Sequence, residues 1–212
     1  MFSTVNPRIN EYMQRDHDSM RQGILFVVAS IKTPFYMMAR QMEDIKRNGA
    51  DSKYLWGFKK DTFKYLAEHS SDLYDELMDH YQQKYQGQWT GYPLKLERDR
   101  RMMLILTDVP GLGLAKAGFV MQLMFGRVGC IDVHNTRRLT SVSAKDLVLC
   151  SKASDKIKYK KIDKYINICK GYNNSERLWN KWCDQVSYNN CNRKHFADGN
   201  EVSEFHYTAI TN

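Results

Sequence analysis

The sequence lacks the features that mark secreted, membrane-spanning, and zinc- or iron–sulfur-binding chains. Residues 1–15 hold no apolar core of signal-peptide length, and the most apolar run, residues 24–31, is too short to cross a bilayer. The five cysteines form no C-x-x-C pair, and their spacing matches neither a zinc finger nor a common iron–sulfur run. We therefore expect an intracellular protein with free thiols, without a disulfide framework, a resident metal or a membrane span.

Period-two alternation of polar and apolar residues, which a half-buried strand requires, is also missing, as are internal repeats and low-complexity tracts. Apolar residues recur instead at helical spacing, as in Phe35, Met38, Met42 and Ile45. The pattern predicts an all-α chain, and 212 residues suffice for one sizeable core or two small lobes.

Local capping and stop signals divide the chain into predicted helices. The signals are Thr33 as N-cap with Pro34 at the first helical position, Asn48-Gly49 as a stop, Asp61 before residues 62–69, and Ser70 or Ser71 before the next helix. Further helices are predicted at 24–31, where the helix should be buried, and at 96–107, 114–125 and 133–139. Three more are predicted: a short helix with a capping box at Ser143 and Asp146, a helix that ends at Gly171, and a helix that begins after Asn174 or Ser175 as its cap. The tail beyond Tyr188 shows no clear pattern.

The formal net charge of +8 and the sequence pI near 9.2 indicate an anionic partner. Nucleic acid is the commonest partner of this kind, and an anionic membrane surface is the second. Basic residues cluster at Arg98, Arg100 and Arg101, and again at Lys152, Lys156, Lys158, Lys160, Lys161 and Lys164. Both clusters have two interpretations, as phosphate contacts or as solvated helix faces.

The most informative segment is Val109-Pro110-Gly111-Leu112-Gly113, followed by a predicted helix and, about 20 residues downstream, by Asp132. Pro110 restricts φ, and glycine allows backbone angles that other residues resist, so the segment predicts a tight hairpin. The helix after Gly113 begins with free N–H groups and the positive end of its dipole, which together favour a bound phosphate.

These residues resemble a known family. Residues 109–117 (VPGLGLAKA), the apolar helix that ends at Phe125-Gly126, and Ile131-Asp132-Val133-His134 are similar to the motif of the helix-hairpin-helix DNA glycosylases, which include endonuclease III and the adenine and 8-oxoguanine glycosylases. The resemblance covers residues 107–139. It implies a two-lobed α-helical bundle with DNA in the cleft between the lobes. We expect one domain, 1–212, with one lobe mainly at 34–138, including the hairpin unit 96–126, and the other formed by 1–33 and 139–212.

The resemblance implies base-excision repair, in which the enzyme flips a damaged or mismatched base out of the duplex and cleaves its N-glycosidic bond. Asp132 matches the catalytic aspartate, whose negative charge stabilises the cationic sugar and helps to activate the nucleophile. Asp132 is also a good N-cap for the helix at 133–139, and both roles are compatible. The residues implied to contact DNA are Pro110, Gly111, Leu112, Gly113, Lys116, His134, Arg137 and Arg138.

The chain departs from the family at the position of the Schiff-base lysine of bifunctional members. That position holds Ala115, and Lys116 follows one residue later, about 100° further around the helix. We therefore predict a monofunctional enzyme that uses water, with a glycosylase and lyase acting through Lys116 as the alternative. Two further hypotheses are a non-catalytic DNA-binding protein with this fold and a relative that acts on modified nucleobases.

The predicted partner is double-stranded DNA with a lesion or mismatch, bound by a monomer that does not associate with membranes. The resemblance implies a monovalent cation at the hairpin carbonyls as the one possible cofactor, and no iron–sulfur cluster. Trp56, Phe58, Trp89 and Tyr92 are either stacking residues or core residues. Lys32 stands where family members carry Gln or Asn near the flipped nucleotide, so the base that is recognised stays open.

Overall fold

The computed structural model of the chain describes residues 6–82, 92–136, 143, 147–150, 153–171, 174–189 and 192–211, with residues 92–94, 133, 134 and 174 described by their backbone. Every regular element among these residues is helical, and none is a strand. The all-α prediction is confirmed for this part of the chain.

The helices are named in chain order. They are α1 (Pro7–Met13), α2 (His17–Ala29), α3 (Met38–Asn48), α4 (Phe58–Gln82), α5 (Tyr92–Asp108), α6 (Leu114–Phe125), α7 (Val133–Thr136), α8 (Asp155–Gly171), α9 (Asn174–Ser187) and α10 (Gly199–Thr211), with 3-10 turns at Phe35–Met37 and Gly49–Asp51.

Helices α2 and α6 lie at the centre of the core. Residues 23–29 of α2 and residues 117–125 of α6 are all buried, which is typical of a helix surrounded by others. Helix α2 packs against α4, α6, α1, α10 and α3, and the buried apolar residues form one continuous cluster. The buried helix predicted at 24–31 is therefore confirmed up to Ala29, where α2 ends.

Several predicted helix ends agree with the structure, because the residues that stop a helix act through local backbone conformation. Helix α3 ends at Asn48, and Gly49 follows with a φ of 53°. Helix α6 has both predicted ends, and Gly126 terminates it in the left-handed conformation with a φ of 62°. Asp16, for which no cap was predicted, also caps α2 by accepting a hydrogen bond from the Ser19 N–H at 2.7 Å, and its bonds to Ser19 hold the pKa of the Asp16 carboxyl at about 2.

Three capping predictions are wrong. The Thr33 hydroxyl does not begin a helix but donates to the Ala29 carbonyl at 2.9 Å, at the end of α2. Asp61, Ser70 and Ser71 do not separate two helices, because α4 continues through all three. Helix α4 buries an apolar row against α2, and this packing outweighs a weak local preference for a cap. The capping box at Ser143 and Asp146 extends beyond the described residues.

The tail that showed no clear pattern forms α10 and carries the fully buried His206. The His206 ring is enclosed by aromatic rings at centroid distances of 4.6 to 5.8 Å, from Phe26, Phe35, Phe119, Trp179 and Trp182. Its Nδ1 lies 3.1 Å from the Val202 carbonyl, which suits a neutral imidazole that donates from Nδ1. Burial lowers the pKa of His206 to about 3.

This pKa predicts acid sensitivity of the fold. The unfolded chain binds a proton at His206 below its ordinary pKa of about 6.5, whereas the folded chain does not until about pH 3. The free energy of unfolding should therefore fall as the pH drops from about 6.5 towards 3, by at most about 1.4 kcal/mol per pH unit from this residue. Urea unfolding between pH 4 and 7 should show a shallower dependence in His206→Phe than in the wild type and in the exposed-site control His69→Gln. An equal pH dependence of the free energy of unfolding in all three proteins would contradict the lowered pKa of His206.

Candidate active site

The predicted hairpin is a turn at residues 109–113 that joins α5 to α6. The Leu112 N–H donates to the Val109 carbonyl at 3.1 Å, and the Thr62 hydroxyl of α4 donates to the Pro110 carbonyl at 2.6 Å. Gly111 has a φ of +82°, and a Cβ there would lie 2.8 Å from Cδ2 of Phe58. Both the backbone angle and the neighbouring ring therefore require glycine at position 111.

The first turn of α6 is open to a ligand. Gly113 is the N-cap, and no side chain caps the helix. A Cβ added at Gly113 would have no atom within 4 Å, in contrast to one at Gly111. A cleft of about 460 Å³ lies here, lined by residues 107–113 with Leu149 and Lys158. The helix N-terminus thus supplies partial positive charge on this cleft, whereas the Lys158 ammonium is paired with the Asp108 carboxylate, which lines the same cleft.

The monovalent cation that the resemblance implies at the hairpin carbonyls stays a prediction. The carbonyls of Val109 and Pro110 each accept one hydrogen bond, from the Leu112 N–H and the Thr62 hydroxyl respectively. A carbonyl oxygen has two lone pairs, so each could also contact a cation. We assign no step of the reaction to a cation.

A larger cavity of about 770 Å³ lies beside the start of α6. Its described lining is mainly apolar and comes from five separate segments of the chain. The lining residues are Ser30, Ile31, Lys32, Thr33, Pro34, Phe35, Ala115, Lys116, Ile131, Asp132, Thr136, Leu147, Val148, Trp182, Val186, Asn189 and Asn192. The structure therefore brings Asp132 and Lys116 to one cavity, and Ala115 lines it as well.

Asp132 is held by donors from two helices. Its Oδ1 accepts a hydrogen bond from the Asn135 N–H at 3.2 Å, which is the N-cap interaction for α7. Its Oδ2 accepts a hydrogen bond from Nε1 of Trp182, on α9, at 2.8 Å. The side chain is partly exposed and lines the cavity. The N-cap role and a position on an open cavity therefore occur together.

Buried polar groups fix the turn that leads to Asp132. The Cys130 N–H donates to Oε1 of Gln122 at 3.0 Å, and the Ile131 N–H donates to the Tyr165 hydroxyl at 2.9 Å. The same hydroxyl donates to the Gly129 carbonyl at 2.7 Å. This network ties the backbone on the N-terminal side of Asp132 to α6 and α8.

The turn also approaches α6 closely, and it contains strained backbone. A Cβ at Gly118 would lie 2.5 Å from the Gly129 carbonyl oxygen, so glycine allows the contact. Val128 has a φ of 61°, which is unfavourable for a β-branched residue. Among the described residues, Val128 and Lys32 are the two non-glycine residues with positive φ. Lys32 lines the cavity, and Val128 lies in the turn that leads to Asp132.

Lys116 extends towards the end of α2. Its Nζ donates to the Ser30 hydroxyl at 3.4 Å and lies 5.5 Å from the centroid of the Phe119 ring. Its position one residue after Ala115 therefore does not turn it away from the cavity, which both residues line.

A second lysine at this place has no signal in the sequence. Lys59 is buried, and its Nζ donates to the Ala29 carbonyl at 2.8 Å. Burial, together with the nearby positive charge of Lys116, lowers the pKa of Lys59 to about 8. Lys59 and Lys116 thus converge on the C-terminal end of α2, where the helix dipole is negative. In the sequence, Lys59-Lys60 resembles any solvated pair of lysines.

Several members of the two basic clusters make contacts within the fold. Bonds from Nε and Nη2 of Arg100 to the two oxygens of Asp163, at 2.6 and 3.0 Å, join α5 to α8. The Nε of Arg101 donates to Glu97 at 3.0 Å, and Nη1 of Arg98 donates to the Tyr81 carbonyl at 3.2 Å. Lys158 donates to Oδ1 of Asp108 at 2.6 Å, an ion pair that raises the pKa of Lys158.

Some predicted site residues lie outside the described part of the chain. These are Arg137, Arg138, Lys152 and Trp89, together with the side chains of His134 and Tyr92. Trp56 is about half exposed, with a relative accessibility of 47%, and Phe58 packs against Gly111. The hydrogen bond from Trp182 to Asp132 was not predicted, because the two residues are 50 positions apart.

The described cysteines are unpaired. Cys130, Cys169 and Cys183 are buried, and burial raises the pKa of each thiol, whereas Cys150 is exposed. The described residues contain no group of three or more His, Cys, Asp and Glu side chains arranged to hold a metal ion. Of the helices in the described ranges, none is both long enough and apolar enough to span a membrane.

Comparison of the chain with family models, curated proteins and solved structures finds no match.

Proposed function

We propose that this protein is a DNA glycosylase of base-excision repair, which flips an aberrant base into the cavity beside Asp132 and cleaves its N-glycosidic bond. The observation that carries the proposal is the meeting of Asp132, Lys116 and the start of α6 at one cavity. The motif that resembles the helix-hairpin-helix glycosylases supports it. The proposal includes a two-lobed fold with duplex DNA in the cleft, and a monomeric, intracellular enzyme.

In this proposal the hairpin holds the DNA strand. The uncapped first turn of α6 and the open space at Gly113 allow a phosphate oxygen to approach the backbone N–H groups. Lys158 lines the same cleft in an ion pair with Asp108, so the helix N-terminus is the main source of positive charge there. A phosphate fixed there would anchor the strand while the neighbouring nucleotide is extruded.

Asp132 supplies the electrostatic part of the chemistry. As the bond between C1′ of the sugar and the base breaks, its electron pair leaves with the base, and positive charge develops on the sugar ring. The Asp132 carboxylate stabilises that charge and accepts a proton from the attacking water. The Trp182 indole and the Asn135 N–H hold the carboxylate in one orientation during this step.

A glycosylase with lyase activity is the second candidate, and the position of Lys116 favours it. The Lys116 amine lines the same cavity as Asp132. In its neutral form the amine would attack C1′ while the base departs with the electron pair of the broken bond and takes up the proton that the amine loses. Opening of the sugar ring would then leave an imine, which promotes elimination of the 3′ phosphate. The non-catalytic hypothesis has no such observation in its favour.

The test uses duplexes that carry 8-oxoguanine, uracil, thymine glycol or an alkylated purine. A glycosylase that uses water should release a base and leave strand breaks that appear after alkali. Breaks without alkali, and a borohydride-trapped adduct that disappears in Lys116→Ala, would identify the lyase. Binding without a product on any duplex would contradict both proposals and support the non-catalytic hypothesis.

Replacing Trp182 with phenylalanine should lower kcat about tenfold and leave KM unchanged. The variant keeps an aromatic ring in the cluster but removes the N–H that orients Asp132. Trp179→Phe is the matched control, since Trp179 is stacked on Trp182 at a centroid distance of 6.0 Å and is equally buried. In the Asp132→Asn background the Trp182 effect should vanish. An equal decrease of kcat in Trp182→Phe and Trp179→Phe would indicate that Trp182 has a purely structural role.

A further inference from the structure

Lys32 lies at the edge of the large cavity in an unusual backbone conformation. It follows the end of α2 in the loop 30–35, its φ is 56°, and its side chain is exposed and lines the cavity. Left-handed backbone disfavours residues with a Cβ, and glycine or asparagine is its usual occupant. Non-glycine residues held in this conformation concentrate at ligand sites.

The loop around Lys32 is held by its own hydrogen bonds. The Ser30 hydroxyl donates to the Val27 carbonyl at 2.7 Å, and the Thr33 N–H donates to the Ser30 carbonyl at 3.3 Å. The Thr33 hydroxyl adds a bond to the Ala29 carbonyl at 2.9 Å. These bonds set the backbone at position 32 without any contribution from the lysine side chain, so the fold does not require lysine there.

Among the described residues that line the cavity, positive charges outnumber negative ones. Lys32 and Lys116 bring two ammonium groups, whereas Asp132 is the one carboxylate among the described lining residues. The oxygens of Asp132 accept from Asn135 and Trp182, and Lys116 donates to a neutral hydroxyl. Within the described residues, Lys32 has neither a hydrogen bond nor an ion pair of its own. A ligand with a negative group would supply the missing charge.

We propose that Lys32 binds an anionic phosphate or carboxylate oxygen carried by the molecule that occupies the cavity. This inference rests on the proposed function, in which the occupant is an extruded nucleotide. The anion would come either from the phosphodiester beside that nucleotide or from the occupant itself, as in a free nucleotide. In both cases the charge of Lys32 has a function at a position where the backbone conformation favours glycine.

The test measures binding and thermal stability for Lys32→Asn and Lys32→Arg. Asparagine tolerates the left-handed conformation and removes the charge, whereas arginine keeps the charge and should preserve binding. The control is Lys64→Asn, an exposed lysine on α4 that changes the net charge equally. Lys32→Asn should raise the melting temperature by about 2 °C and weaken binding about tenfold, whereas Lys64→Asn should weaken it less than about twofold.

Two probes distinguish the source of the anion. One is a duplex with a tetrahydrofuran abasic-site analogue, with or without neutral methylphosphonates at the flanking linkages. The other is thymidine 5′-monophosphate compared with thymidine. If Lys32→Asn weakens binding of the ordinary duplex but not of the methylphosphonate duplex, the anion belongs to the DNA strand. If Lys32→Asn weakens binding of thymidine 5′-monophosphate alone, the anion belongs to a free nucleotide. Wild-type affinity of Lys32→Asn for both probes would overturn the inference.

The same measurements separate this inference from the proposed function. Base removal by the wild type together with unchanged binding by Lys32→Asn would leave the glycosylase proposal intact and refute the anion subsite. If the protein binds the monophosphate through Lys32 but binds no duplex, the result would support the anion subsite and refute the glycosylase proposal.

Discussion

Replacing Asp132 with asparagine should slow base removal by about a hundred- to a thousandfold. Asparagine has nearly the same shape and can still accept the Asn135 N–H, so the cap of α7 should survive. What disappears is the negative charge beside the cavity, and a fixed charge in a partly buried site is worth this much in a transition state that develops the opposite charge. Single-turnover kinetics on the lesion that gives a product would measure the effect.

The matched control is Asp16→Asn, because Asp16 caps α2 through the same kind of bond and lies away from the cavity lining. Affinity for the abasic-site duplex should change little in either variant, because neither substitution alters the hairpin. Full activity in Asp132→Asn, or an equal loss in Asp16→Asn, would show that the carboxylate at position 132 is not the catalytic group.

Replacing Gly111 with alanine should lower the free energy of unfolding by about 2–4 kcal/mol. The left-handed backbone at φ +82° accounts for about 1–2 kcal/mol. The new Cβ would also lie 2.8 Å from the Phe58 ring and 2.9 Å from the Thr62 hydroxyl, and overpacking of this kind costs a similar amount. Moving Thr62 would break its bond to the Pro110 carbonyl, so the hairpin itself should deform. Urea unfolding would measure the loss.

Gly113→Ala provides the contrast, since the two glycines belong to one turn. Gly113 has a φ of −79°, and a Cβ there meets no atom within 4 Å, so stability should stay within about 0.5 kcal/mol of the wild type. The methyl group would project into the space through which a phosphate reaches the start of α6. Affinity for the abasic-site duplex should therefore fall about tenfold. Unchanged affinity in a stable Gly113→Ala protein would contradict the role proposed for the hairpin.

Local signals in the sequence predicted the part of the site formed by neighbouring residues. The Pro110 to Gly113 segment predicted the turn, both ends of α6 were predicted correctly, and Asp132 was identified as an N-cap. Each of these depends on backbone angles or hydrogen bonds within a few residues, which residue type controls directly. The stop at Asn48-Gly49 was predicted for the same reason.

Predictions that depended on distant residues were wrong or absent. The caps predicted at Asp61, Ser70 and Ser71 do not form, because packing against α2 keeps α4 continuous through these positions. The tail around His206 had no readable pattern, because its side chains meet aromatic rings from α2, α6 and α9. Burial of a charged side chain such as Lys59 has no counterpart in local sequence.

By itself, the sequence determined an all-helical chain, a glycine-dependent turn before an apolar helix, and a capping aspartate downstream, since each follows from short-range backbone preferences. Only the tertiary structure decided that the Trp182 indole holds Asp132, that Lys59 and Lys116 converge on the end of α2, and that Lys32 borders the same cavity. These relations join residues many positions apart, and such contacts form only when whole helices pack their apolar faces together.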